Sequence, residues 1–400
     1  MTDLTLLGAD GVVHRTPLVE SSGYTKPTEP LRSRVAYAAA HVVPVTWGEN
    51  TPGQPAQIDW DATLDFRRAV YSWGLGVADA MDTAQRNMGL DAAATRELIA
   101  RSAEVAREEG GSVVVGVNTD HIDDEHITLD EVSDAYKEQL HFTAEQGAGP
   151  VVMASRHLAR VAASAEDYRR VYREVLAAAT TPVVLHWLGT AFDPQLEGYF
   201  GATHWRDASR VLLEVIEESA DKVAGVKMSL LDAESEVSVR ERLPEGVRMF
   251  TGDDFNYVGL IGGADVPAAA QPARNPAATR QHSDALLGAF AALTPVASAA
   301  IQALDAGDPD RYLEILAPTE ELSRQVFAAP TFYYKTGVAF LSWLNGHQAA
   351  FQMVGGLHSA RSLPHLSRIV ELANAAKAFE QPELAAERWH ALLSLNGVSA

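Results

Sequence analysis

The chain of 400 residues contains no cysteine, which excludes disulfide bonds and thiolate metal sites. No stretch approaches the roughly twenty apolar residues that span a bilayer. The start, Met1-Thr2-Asp3-Leu4, lacks the basic and then apolar pattern of a signal peptide. A cytoplasmic location is the expectation. Positive charge is also scarce, with 32 Lys plus Arg against 53 Asp plus Glu and a formal net charge of −21. Such a balance argues against nucleic acid and anionic membrane surfaces as partners. A nucleotide-type glycine loop is missing too, because Gly74-Leu75-Gly76 follows a helical stretch and opens a strand, the reverse of the required context. No serine lies in a recognisable nucleophile elbow. No organic cofactor is implied.

What is present is an alternation of short apolar runs and helical stretches. The apolar runs are Val35–His41, Gly74–Ala78, Ser112–Val117, Val151–Ala154, Val183–Trp187, Ala224–Met228 and Val247–Thr251, with a weaker eighth at Ala285–Phe290. Between them, Asp91–Glu109, Asp130–Gln146, Ala165–Ala179 and Trp205–Ser219 carry helical periodicity, the first behind an N-capping aspartate. Repeated strand–helix units imply a parallel sheet with right-handed crossovers. Eight strands count best as an α/β fold of the closed (β/α)8 TIM-barrel type, with a doubly wound open sheet as the competitor. Leu4–Arg15 reads as a hairpin about the Asp10-Gly11 turn. The expected organisation is residues 1–32 as hairpin and linker, 33–308 as barrel and 309–400 as a helical extension. Gly262–Gln281, dense in Ala, Pro and Gly, reads as an insertion before the eighth strand. Phe332–Leu344 and His365–Ala378 are apolar enough to pack on the barrel or on a second subunit, so a homodimer or homotetramer is expected.

The six lysines are Lys26, Lys137, Lys222, Lys227, Lys335 and Lys377. Lys227 stands out because it ends the apolar run Val223-Ala224-Gly225-Val226. Barrel chemistry gathers at the C-terminal ends of strands. A lysine buried there loses hydration, its pKa falls and its amine becomes a nucleophile near neutrality. Reading the other strand ends gives His41, the Asp79–Arg86 loop, Asn118 to Asp120, His186 and Gly252-Asp253-Asp254. His186 is the candidate proton shuttle, since an unperturbed imidazole titrates near neutrality. Asp253 and Asp254 can bind a substrate hydroxyl or tune the lysine, or else form a tight capping turn. Trp187, with Trp47 and Trp73, offers flat faces that suit a sugar ring.

The order of these motifs resembles the dihydrodipicolinate synthase and N-acetylneuraminate lyase family of class I aldolases. Members carry a Schiff-base lysine in a run similar to Gly225-Val226-Lys227, followed by a turn similar to Thr251-Gly252-Asp253-Asp254. Pro182-Val183-Val184-Leu185 resembles the family's fifth strand, and Ser283–Leu293 its eighth. The resemblance covers about residues 35 to 344 and implies a carbon–carbon or carbon–oxygen lyase, acting on a small carbonyl compound through Lys227. It departs at three places. The family's catalytic tyrosine falls on His186, and an arginine that grips a second carboxylate falls on Ala191. The loop that holds a 2-oxo acid falls on Asp82-Thr83-Ala84-Gln85-Arg86, where only Thr83 matches. Dihydrodipicolinate synthesis itself is therefore not expected. Asp82, Thr83 and Gln85 become candidate contacts to a neutral keto-sugar. Two rival readings stay open. One is a metal-dependent barrel lyase or isomerase using the loop Asn118–His126, or His41 and His186. The other is a binding protein of this fold without chemistry.

Overall fold

The computed structural model describes residues 3–399. Strands β1 (Asp3–Leu7) and β2 (Val13–Pro17) form the expected hairpin, in the register Leu7 opposite Val13. Gly11 adopts φ +80° at its tip, where a side chain would be strained. Eight further strands close a parallel barrel: β3 (Ala36–Ala39), β4 (Gly76–Asp79), β5 (Val113–Val117), β6 (Gly149–Met153), β7 (Val183–Leu188), β8 (Val223–Ser229), β9 (Arg248–Thr251) and β10 (Asp284–Leu287). They follow chain order around the ring, and β10 returns to β3. The open-sheet alternative is thereby set aside.

Side chains alternate along each strand. Ala39, Ala78, Val114, Val151, Val184, Phe250 and Leu286 fill the barrel interior. Their neighbours, such as Val77, Val115, Leu185 and Met228, face the helices. The helices start where the caps predict. Asp91 accepts from Ala94 N ahead of Ala92–Glu109, and Thr128 forms a capping box with Glu131 ahead of Leu129–Gln146. The eighth strand ends earlier than its apolar run. After Leu287 the chain turns at Gly288 into the short helix Ala289–Ala292. The insertion after β9 holds only single turns, Gly263–Asp265 and Ala268–Ala270.

The C-terminal helices are Pro309–Leu316, Pro318–Val326, Tyr334–Leu344, Leu363–Ala375 and Pro382–Leu395. Tyr334–Leu344 buries ten of its eleven residues. A helix apolar on all sides must be enclosed. It abuts the loop after β4 through Thr83 and the segment 353–358 through Thr336. The terminal helices in turn hold the hairpin: Trp389 donates to Thr5 O at 2.7 Å, and Ser367 Oγ accepts from Leu7 N. The apolar faces that suggested a second subunit are thus covered within one chain. Large hydrophobic side chains left exposed among the described residues are Val12, Val13, Trp47 and Leu395. Among the described residues, no helix is long and apolar enough to cross a membrane.

Candidate active site

Lys227 and His186 are direct neighbours across the β7–β8 ladder, and both point into the barrel toward its C-terminal mouth. Lys227 is 8% exposed. Its amine meets no hydrogen-bond or ion-pair partner among the described residues. Burial pushes its pKa below the ordinary lysine value, against the opposing charges of Asp82 and Asp254. The side chain lies across the end of β9. A Cβ at Gly252 would overlap Ser229 Oγ and stand 2.9 Å from Lys227 Cε. Glycine is therefore required at 252 by close approach.

Asp254 is the buried acid of this group. One oxygen accepts from Ala289 N at 2.9 Å. Burial raises its pKa to about 8, opposed by that hydrogen bond and by Lys227. Burial thus draws both groups toward their neutral forms, while their mutual attraction opposes it. His186 approaches Ser229 Oγ through Nε2 at 3.2 Å, and its Nδ1 has no partner. Burial, and then the charge of Lys227, push His186 well below the ordinary imidazole range. The near-neutral titration expected of it is corrected: at pH 7 it is a neutral ring.

The loop after β4 carries three non-glycine residues at positive φ, Ala80, Gln85 and Asn87. Strain of this kind collects where surrounding structure fixes a site. Asp82 and Thr83 form its single helical turn. Thr83 Oγ1 lies 2.7 Å from the Tyr334 hydroxyl, and the Tyr334 ring stacks on Phe327. Burial, then the charge of Asp82, raise the Tyr334 hydroxyl well above its usual value.

Other expected contacts do not reach the site. Trp187 faces outward, edge-on to Phe200 at 5.4 Å, because the strand period that turns His186 in turns Trp187 out. Trp47 is 90% exposed, and Trp73 ends the helix Trp60–Ser72 ahead of β4, on the side away from the mouth, so the aromatic argument for a sugar ring fails with all three. Gln85 uses its whole amide on Met88 O and on both backbone groups of Val354, clamping the extension instead of a substrate. Asp253 accepts from Phe255 N and Asn256 Nδ2, a turn before the helix Tyr257–Gly262. Asp79 is locked to Arg67 and Ser102 on the outer side of β4.

Neither metal candidate gathers. His41 pairs with Gln348 at 2.9 Å, and burial lowers its pKa to about 3. In the Asn118–His126 loop, burial pushes the Asp120 carboxyl up, but the bidentate Arg86 guanidinium outweighs this and holds it below the usual range. Among the described residues, no three His, Asp or Glu converge closely enough to hold a metal ion.

A cavity of about 240 Å³ opens at the mouth, lined by Asp82, Asn118, Met153, Arg156, Leu188 and Asp193; Asp82, whose charge acts on Lys227, is the wall it shares with the lysine's surroundings. A narrow branch continues from it to Tyr334 and Lys335. A larger cavity of about 810 Å³ lies at the opposite, N-terminal face, around Tyr37, Val114 and Phe250. The extension's part in the mouth was missed from sequence. Phe332–Leu344 reads from sequence as packing on the barrel or on a second subunit, and nothing local places its first turn, with Lys335, at the mouth.

The sequence matches, over residues 4–398, the family described as "Protein of unknown function (DUF993)", and the chain belongs to that family. No curated protein matches it. The fold is shared with solved dihydrodipicolinate synthases. The enzyme from Bacillus clausii is 14% identical with a TM-score of 0.60, covering 86% of this chain and 98% of its own. The 4-hydroxy-tetrahydrodipicolinate synthase of Methylacidiphilum fumariolicum SolV is 13% identical with a TM-score of 0.59, covering 90% and 98%. The Aquifex aeolicus synthase is 12% identical with a TM-score of 0.56, covering 91% and 98%. At such identity the likeness is one of fold.

Proposed function

We propose that the protein is a lyase of the class I aldolase type, in which Lys227 forms an imine with a small carbonyl compound. The observation that carries this reading is a buried, unpartnered lysine at the C-terminal end of the sixth barrel strand, beside a buried acid. The amine adds to the carbonyl carbon to give a carbinolamine. The former carbonyl oxygen takes a proton and leaves as water, which yields a protonated imine. That cation accepts the electron pair of the adjacent carbon–carbon or carbon–hydrogen bond, giving an enamine; in the first case the departing carbon loses its hydroxyl proton and leaves as an aldehyde or ketone, and in the second the proton passes to a base or water. Protonation and addition of one water return the free amine.

Asp254, protonated near neutrality, is the proton donor for water loss in this scheme and takes the proton back afterwards, while neutral His186 serves as a polar neighbour of the amine, not as a store of the proton. The fold shared with dihydrodipicolinate synthases supports the reaction class. The changed loop at Asp82–Arg86 argues for a different substrate. Homo-oligomerisation is part of the reading and is measured by light scattering. One synthase variant of this fold is described as monomeric.

The test is borohydride trapping with a panel of aldehydes and ketones, followed by mass spectrometry of the modified peptide. An adduct on Lys227 supports the mechanism. An adduct confined to Lys335, or full activity in Lys227→Ala, overturns it.

A further inference from the structure

Lys335 has no place in the chemistry above, yet it is the more completely enclosed of the two mouth lysines at 2% exposure. No carboxylate pairs with it. Its amine has one close contact, Met88 Sδ at 3.1 Å, and lies 5.1 Å from the centre of the Tyr334 ring. Sulfur is a weak acceptor. A buried ammonium without an oxygen partner is costly unless something binds it.

The amine lines the narrow branch of the mouth cavity, and Arg156 lines both that branch and the main chamber. Arg156 is fixed by one bond, Nε to Asp193 Oδ2 at 2.6 Å, and its two terminal nitrogens engage no acceptor among the described residues. Asp193 is held by that bond and by its cap on Gln195 N. Asp82 is the remaining acid of the branch, and it stands between the two lysines in its influence, acting on both. The branch therefore offers seven donor hydrogens, three on Lys335 and four on the free Arg156 nitrogens, and among the described residues their one close contact is that of Lys335 with Met88 Sδ.

We propose that this branch is an anion subsite, in which Lys335 and Arg156 grip a carboxylate or phosphate at the far end of the carbonyl substrate. The inference rests on the imine reading for the substrate's other end, but the subsite itself does not. A guanidinium and an ammonium that converge on one small space suit a tetrahedral or planar oxyanion better than a neutral hydroxyl. The carbonyl group then faces Lys227 past Asp82, whose carboxylate accepts from a hydroxyl between the two ends. The substrate class is an anionic carbonyl compound, not the neutral sugar considered from the tryptophans.

The test uses the full chain and its Lys335→Met and Arg156→Gln variants, each checked for native folding by circular dichroism. Titration with inorganic phosphate and with malonate distinguishes the two anion types. Wild type is expected to bind at least one of them, with roughly tenfold or greater loss in each variant. In parallel, borohydride trapping compares succinic semialdehyde with butanal, which has the same chain length without the carboxylate. The carboxylated aldehyde is expected to be trapped at lower concentration, and Lys335→Met is expected to erase the difference. Absence of binding at 10-millimolar phosphate or malonate (about the weakest affinity of use), or equal binding in folded Lys335→Met, overturns the subsite. Anion binding that depends on Lys335 without any adduct on Lys227 keeps the subsite and overturns the imine reading instead.

Discussion

Replacing Lys335 with methionine should stabilise the protein at neutral pH, which is the reverse of what most buried substitutions do. Burial, opposed by Asp82 and Asp193 and aided by Arg156, lowers this amine from 10.5 to about 8. Each unit is worth about 1.4 kcal/mol, so keeping the charge buried costs the fold about 3 kcal/mol below pH 8. Methionine has a similar length and leaves no charge, although the contact over the Tyr334 ring is lost, worth up to about 1 kcal/mol. The net expectation is a gain of about 1–3 kcal/mol at pH 7. Its pH dependence has a definite sign. Below pH 8 both folded and unfolded states hold the proton, and the folded state carries the full cost. Between about 8 and 10.5 only the unfolded state holds it, so wild-type stability rises with pH and the variant's advantage shrinks. Above 10.5 the difference is at its smallest. Urea unfolding at pH 6, 7, 8 and 9 measures this directly. A variant that is less stable than wild type at pH 7, or a difference that does not change with pH, refutes the premise that Lys335 is a buried cation without a partner.

Lys227→Met should abolish borohydride trapping without loss of stability at pH 7, because the same burial opposes the charge of Lys227; trapping that survives in this variant shows another nucleophile. Gly252→Ala should lose about 1–3 kcal/mol by overpacking, since the new methyl group meets Met228 O at 2.8 Å and Lys227 Cε at 2.9 Å. Trapping by that variant should fall more than its stability explains, read at matched folded fractions. Trp187→Ala should cost about 3–5 kcal/mol as a core truncation and leave the trapped fraction of folded protein unchanged; a selective loss of trapping would return Trp187 to the site.

Much of the barrel was legible because each unit obeys local rules that tertiary packing did not override. Asp91 and Thr128 cap their helices as their side chains dictate, and the fully apolar runs became strands buried on both faces. The eighth strand was overextended because Ala289–Ala292 is as apolar as the strand before it. Only the turn at Gly288 separates them, and composition alone does not reveal which apolar residues face the barrel and which begin a helix. The period of two, applied strictly, separates Trp187 from His186 without any structure. Reading both as site residues ignored that constraint.

The site itself divides along sequence distance. Lys227, His186, Gly252 and Asp254 lie at strand ends of adjacent units, so barrel topology brings them together once the strands are counted. Thr83 and Tyr334 are 251 positions apart and meet at 2.7 Å, and Gln85 reaches Val354 at 2.8 Å across 269 positions. No periodicity carries such a pairing. Its physical cause is the enclosed helix Tyr334–Leu344, whose apolar surface has to be covered on every side and is covered in part by the loop after β4. Burying that helix draws its first turn, with Tyr334 and Lys335, over the barrel mouth. In the proposed mechanism the helical extension therefore sets what reaches Lys227, while the barrel strands set the chemistry. A change confined to the first turn of that helix should alter which carbonyl compounds are trapped before it alters whether trapping occurs.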